Sequence, residues 1–317
     1  MDVCKKLWKN VKKYSEFSIS ITIVKVLIFI AEKALHNNRI IYKLYKVKDN
    51  LIENEICDCI MRDKWMCRRM NKVEHYKVWI YWAQGWDNPP DNVKRDLASV
   101  KKNISWADII CIDDMNFDKY IHIPDFIIKK RNEGKISTTH FSDILRVYLL
   151  AEYGGLWLDA SAFILWPITF EELNHCFFTI RTSKDITMGR CISRSRWSIG
   201  FMGTSYRYYL LFEVMKNMIN DYWTKYDYVV DYFITDYMVD IILSKNNILL
   251  KDYMSGVVTY DGTYELVNIV NTLDTSKLNI EIYRKTKIYY LPWRKKYKET
   301  INGEKTIYSK ILDIIGD

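Results

Sequence analysis

"FSDILRVYLLAEYGGLWLDASAFI", residues 141–164, sets Asp143, Arg146, Glu152 and Asp159 in an otherwise apolar run. Phe141, Ile144, Leu145, Tyr148 and Leu149 recur at the spacing of one helical face, and Val147, Leu150 and Ala151 make the opposite side apolar as well. The spacing therefore predicts a helix buried on most sides, capped from Ser137–Thr139. Asp143 and Arg146, three apart, project together from it, and buried charges persist only when paired or bound to something. Gly154 and Gly155 end the helix, the first in the left-handed conformation that glycine adopts cheaply. A strand must follow. The alternation in "LWLDASAFI" sets Trp157, Asp159 and Ser161 on one side and Leu156, Leu158, Ala160 and Ala162 on the other. Asp159 and Ser161 then offer two oxygen ligands, enough for Mg2+ or Mn2+ if phosphate oxygens and water complete the octahedron. The same residues also read as a salt-bridged buried helix followed by a strand-end aspartate that caps a loop.

Upstream, "KVWIYW" (77–82) reads as a short buried strand, "AQGWDNPPDNVKRDLASVKKN" as a turn and a helix from near Asp91, and "ADIICIDD" (107–114) as a second strand. Strand, helix and strand at this spacing form a βαβ unit, hence a parallel sheet covered by helices. Ligands of such sheets bind at the carboxyl ends of the strands, where Gln84, Asp113 and Asp114 fall. No glycine-rich phosphate loop follows the first strand, which excludes the dinucleotide fingerprint and the P-loop. A nucleotide bound here needs another way to neutralise its phosphates, and a divalent cation supplies one.

With 317 residues, 49% hydrophobic and 15% aromatic, the chain buries a sizeable core. Seven cysteines with no regular framework indicate free thiols in a reducing compartment, and Cys57, Cys59 and Cys67 lack the pairing of a zinc site. The longest apolar run, Ile19 to Ala31, is broken by Thr22 and Lys25, and no clean cleavage site follows it before Glu32 and Lys33. We therefore expect a cytoplasmic protein. Residues 1–48 hold eleven Lys and Arg against Asp2, Glu16 and Glu32, a surplus equal to the whole-chain net charge of +8, so the remainder is neutral. Leu7, Trp8, Val11 and Tyr14 interleave the lysines of this arm, a pattern suited either to anionic lipid headgroups or to a solvated, partly helical extension. No nucleic-acid motif accompanies it. A compositional shift near residue 72 separates a basic, largely helical extension (1–72) from the main domain (73–317).

"HFSDILRVYLLAEYGGLWLDASAFI", with "WIYWAQG" upstream and "GFMGTSYRYYLLFEVMKNMINDYW" downstream, resembles the bacterial capsular polysaccharide synthesis proteins. These are similar in turn to glycosyltransferase family 32 and to the sugar-transferring domains of large clostridial toxins. The resemblance spans roughly residues 75 to 297. It implies an α/β GT-A fold, a Rossmann-like nucleotide-sugar domain on a mixed, mostly parallel sheet, whose D-x-D motif binds metal and donor diphosphate. By position, Asp159 is the first motif aspartate and Ser161 replaces the second, a weaker ligand. Asp143 and Arg146 match the pair that holds donor-sugar hydroxyls, and Trp82, with Gln84 and Asp113 nearby, the segment that packs on the nucleobase. "RWSIGFMGT" (196–204) is similar to the strand beside the donor sugar, where Gly200 and Gly203 would let backbone approach. "YYLPWRKKY" (289–297) is similar to the terminal loop, with Trp293 over the nucleotide and Arg294, Lys295 and Lys296 near phosphate. "DYVVDYFITDYMVDIIL" (227–243) reads as a helix whose apolar residues mostly serve packing; the resemblance implies that Asp231 and Asp236 face the acceptor, and the pattern alone also reads them as solvated helix acids. The implied activity is a metal-dependent, retaining transfer from a nucleotide sugar, a uridine diphosphate sugar favoured, to a capsular or other surface glycan on a lipid carrier at the inner face of the membrane. Transfer to a protein, and non-catalytic sugar binding with a degenerate motif, are the alternatives.

Overall fold

The computed structural model describes residues 15–34, 38–57, 68–275 and 280–316. Cys59, Cys67 and the first part of the basic arm, from Lys5 to Tyr14, lie outside the described residues. Strands are numbered in chain order from a short β1 (Asn71–Lys72). The central sheet contains β2 (Lys77–Tyr81), β3 (Asp108–Ile112), β4 (Gly155–Asp159), β6 (Phe178–Arg181), β7 (Phe201–Thr204) and β9 (Val257–Thr259), in the order β3-β2-β4-β7-β6-β9. β2 pairs in parallel with β3 and β4, and β6 with β9, whereas β7 runs antiparallel to β4 and β6. The sheet is mixed and mostly parallel. Outside it, β5 (Ala162–Ile164) pairs with β10 (Ile288–Tyr290), β8 (Tyr206–Arg207) with β1, and β11 (Thr300–Ile301) with β12 (Glu304–Lys305).

The period of two sorts the sheet's side chains into two cores. Trp79, Tyr81, Trp157 and Met202 face one layer, filled by α5 (Thr138–Tyr153), α7 (Leu210–Lys225) and α8 (Ile234–Lys245). Val78, Ile80, Leu156 and Leu158 face the other, against Val100 and Ile104 of α3 (Asp91–Asn103) and its end. Asp91 begins α3 and Lys101 and Lys102 end it, charges of the sign each helix terminus favours. α4 (Asp125–Asn132) and the one-turn α6 (Phe170–Leu173) complete the helices named so far, with two that precede the sheet. These are α1 (Ile19–Ala34) and α2 (Asn38–Cys57). Phe17, Ile21, Ile52 and Ile56 belong to the same core as Trp79 and Trp157, so this hairpin packs on the main body.

The link from α5 to β4 turns through the two glycines, as expected, and is cramped. Ser137 caps α5, its hydroxyl accepting from the His140 N–H at 3.2 Å. At the other end Gly154 and Gly155 have φ of +67° and +91°. A Cβ on Gly155 would lie 2.2 Å from the Lys77 carbonyl oxygen, so only glycine lets β4 dock beside β2 here. Two expectations need correction. Residues 227–243 are not one helix: α8 starts only at Ile234, and the preceding residues are a turn. Ser161 does not continue β4, because the chain turns at Ala160 and Ser161 before β5 begins.

Candidate active site

β4 delivers Asp159 to the carboxyl end of the sheet, and α5, packed beneath it, delivers Asp143 and Arg146 to the same point. Arg146 Nη1 donates to Asp143 Oδ1 at 2.5 Å and Nη2 to Asp159 Oδ1 at 3.0 Å. The Trp157 indole N–H also donates to Asp159 Oδ1, at 2.9 Å, and the guanidinium lies 5.0 Å from the Trp157 ring centre. Burial raises the Asp143 pKa against the pull of Arg146. Burial also works against the charge on Arg146, but Asp143 and Asp159 outweigh it and raise its pKa. The trio is thus a pre-formed ion network with one face turned outward: the Asp159 side chain stays 39% exposed.

That face lines a cavity of about 650 Å³, the size of a small-molecule site. Trp82 and Trp293 stand at one end, edge to face with ring centres 5.2 Å apart, alongside Gln84 and Arg294. Trp293 is held by its backbone, since Asn92 Nδ2 donates to the carbonyls of Trp293 at 2.7 Å and Lys295 at 3.0 Å. The Trp82 indole N–H is buried without a hydrogen-bond partner among the described residues. The N-terminal turn of α5 adds Thr138, Thr139 and Ser142.

Asp236 lines the opposite wall, buried, with its Oδ1 accepting from the Trp197 indole at 2.9 Å. Burial, reinforced by the charge of Asp143, pushes its pKa up to about 7. Asp231 is elsewhere. It pairs with Lys25 and Lys48, each at 3.4 Å, and these cations outweigh its burial and hold its pKa down. Asp113 is also away from the cavity, its carboxylate accepting from the Met115 N–H in a turn. Lys295 points to the Val267 carbonyl. Gly203 faces the sheet, where a Cβ would meet the Gly155 carbonyl oxygen at 2.1 Å. The glycine at the cavity is Gly200: a Cβ there would stand 2.6 Å from Asp159 Oδ2 and 2.5 Å from the Tyr290 hydroxyl.

The Asp159 environment fits a divalent cation bound through one carboxylate. Oδ1 is occupied by Arg146 and Trp157, Oδ2 lies against the space that Gly200 leaves open, and Ser161 lines the same cavity. Among the described residues no three His, Cys, Asp or Glu side chains cluster as a ligand set, so phosphate and water would have to supply most of the octahedron.

Several cavity residues had no sequence signal. Tyr290 bonds Ser198 Oγ at 3.1 Å and stacks on Tyr264, ring centres 5.2 Å apart, and is held there by the pairing of β10 with β5 and by its N–H donating to the Thr263 carbonyl at 3.0 Å. Ser193 and Ser195 come from a loop in which Arg194 and Ser195 both have positive φ, +45° and +62°. Arg194 is pinned there by Asp49 of α2 at 2.6 Å. Non-glycine residues adopt this conformation only where surrounding structure enforces it.

The family model of capsular polysaccharide synthesis proteins matches residues 30–311. The chain belongs to the capsular polysaccharide synthesis protein family. This family member is also similar to two curated fungal proteins. Against O-glycosyltransferase PaGT of Phomopsis amygdali it is 28% identical over 101 residues, 29% of this chain and 25% of that protein. Against O-glycosyltransferase braB of Annulohypoxylon truncatum it is 26% identical over 109 residues, 32% and 26% of the two. The matched segment thus spans about a quarter of these relatives. A solved structure, the WbbM bifunctional glycosyltransferase in its apo form, overlaps 77% of this chain and 50% of its own at 11% identity, with a TM-score of 0.37.

Proposed function

We propose that the protein is a glycosyltransferase that moves a sugar from a nucleotide-sugar donor, a uridine diphosphate sugar favoured, to a surface-glycan intermediate on a lipid carrier. The observation that carries this reading is the Asp143–Arg146–Asp159 network opening onto a cavity walled by two tryptophans. Family membership and the two fungal relatives support sugar transfer. Donor and acceptor rest on the resemblance to capsular polysaccharide synthesis proteins, and retention of configuration on the resemblance to family 32.

Glycosyl transfer requires stabilisation of the departing diphosphate and exclusion of water from a cation-like sugar. A magnesium or manganese ion held at Asp159 and Ser161 supplies charge neutralisation for the leaving group when bound. The chain's own residues do the rest. Arg146 fixes the Asp159 carboxylate by a hydrogen bond to Oδ1, which leaves Oδ2 to face the ligand. The Asp143–Arg146 pair holds donor-sugar hydroxyls in register with the acceptor. Trp82 and Trp293 offer ring surfaces to a nucleobase, and Arg294, exposed at the cavity, adds positive charge toward phosphate. No side chain is assigned as a base, because a retaining front-face route uses the leaving phosphate itself.

A second reading, donor binding without turnover, draws on Ser161, which is neutral and sits in a turn beyond β4. Incubation with manganese and a panel of uridine diphosphate sugars separates the two. We expect slow release of free nucleotide, lowered about a thousandfold in Asp159→Asn, which retains the oxygen that accepts from Arg146. Binding of the donors without release under any metal condition would favour the second reading.

A further inference from the structure

Helix α1 turns two unlike faces to its surroundings. Ile21, Val24, Ile28 and Ala31 are buried against the body. Opposite them Ile19, Ile23, Val26, Leu27, Phe29 and Ile30 are between 46% and 75% exposed. An apolar stripe of this length is not a scatter of single exposed residues; it marks an interaction surface. It bears no acid. Glu32, the one carboxylate of α1, is turned to Tyr45, which donates to it at 2.8 Å, and to Arg190 at 3.2 Å. Lys33, exposed, lies over the Phe29 ring at 5.5 Å, so a cation closes the stripe at its C-terminal end. In the sequence, Lys12 and Lys13 precede it, and Lys43 and Lys46 are exposed on the adjoining α2.

We infer that this face of α1 lies in the interface of a lipid bilayer that carries anionic headgroups. Sixteen residues of helix reach only about 24 Å, short of the roughly 30 Å of a bilayer's hydrocarbon core. No helix among the described residues is long and apolar enough to cross a membrane. The helix therefore lies on a membrane: apolar side chains enter the acyl boundary and the flanking lysines meet headgroup charge. The charge also decides against a second copy of the chain as the occupant. A two-fold contact sets the same patch against itself and would bring the exposed Lys33, Lys43 and Lys46 that flank it toward the same cations of the other copy.

The inward side of α1 ties this surface to the cavity. Lys25 donates to the Val230 carbonyl and pairs with Asp231, and the next two residues, Tyr232 and Phe233, line the cavity, Tyr232 being 60% exposed. A chain resting on α1 therefore presents this rim beside the lipid surface. If the proposed transfer to a lipid-linked acceptor is correct, that is where the acceptor would arrive.

The test is vesicle flotation of the full chain, which needs no donor, metal or turnover and so stands or falls apart from the enzymatic reading. We expect flotation with phosphatidylcholine vesicles containing phosphatidylglycerol, little with phosphatidylcholine alone, and release by high salt as screening shortens the reach of the lysines. The pair Ile23→Ser and Ile30→Ser should lower partition at least about tenfold. Both side chains face solvent, so an unchanged melting temperature shows that the fold survives. Failure to float with any vesicle, equal binding to both lipid mixtures, or binding untouched by the double substitution would each overturn the inference. So would a dimer, seen by light scattering, that the same substitutions dissociate.

Discussion

The wall made by α5 and β4 holds Arg146 between two carboxylates, at 2.5 and 3.0 Å, and is buried except for one edge of Asp159. The wall made by residues 292–296 holds a half-buried Trp293 by main-chain carbonyls bonded to Asn92, with Arg294 exposed beside it. In the first wall the candidate site groups are also core groups. In the second the backbone is fixed and the side chains are left to respond to a ligand. On the proposed reading, a site built this way sets the position of the sugar-binding groups in advance and leaves the end assigned to the nucleotide adjustable.

The sharpest way to break this comparison is Arg146→Ala. It strands two carboxylates, one of them buried, so stability measured by urea denaturation should fall by about 3–5 kcal/mol. A loss under 1 kcal/mol would mean that the network is not part of the core. Trp293→Ala should do the opposite: melting hardly changes, while donor affinity read by calorimetry weakens about tenfold through lost ring contact. Equal damage to stability would erase the distinction between the walls.

Asp236 gives the smallest and most specific effect. Its carboxyl is pushed up to about 7 in the folded chain from an ordinary 3.8. As pH rises through that window the unfolded chain gives up a proton that the native chain keeps, so stability falls with rising pH and levels off above it. Asp236→Asn, which imitates the protonated acid, should flatten that part of the melting-temperature profile. An unchanged slope would assign the effect to another group, such as Asp96, which burial also pushes to about 7.

The first wall was legible because its determinants are local. Helical spacing, a charge pair three residues apart and a double glycine all fall within residues 137–159, and they place the helix, the turn and the strand whether the charges are read as a site or as a structural ion pair. Ser161 was misread because alternation cannot report where a strand stops, and the turn at Ala160 broke the period. Gly200 and Gly203 are indistinguishable in sequence. Which one faces the cavity is decided by the close approach of Gly203 to the Gly155 carbonyl. Asp231 looked like a site acid, but its partners Lys25 and Lys48 stand some two hundred residues away in the chain. Tyr264 and Tyr290 meet over Ser198 through long-range contacts, the pairing of β5 with β10 and the Tyr290 N–H to Thr263 carbonyl bond, which no local pattern encodes.

Phe17, Ile21, Ile52 and Ile56 share a core with the sheet, and Asp49 anchors the Arg194 loop at the cavity. Trimming the chain at the composition change near residue 72 would therefore do more than remove a handle. It would uncover greasy surface on the remaining body and unclamp a strained bend beside the cavity, so a shortened version is apt to clump, and whatever stays dissolved should carry a loosened pocket.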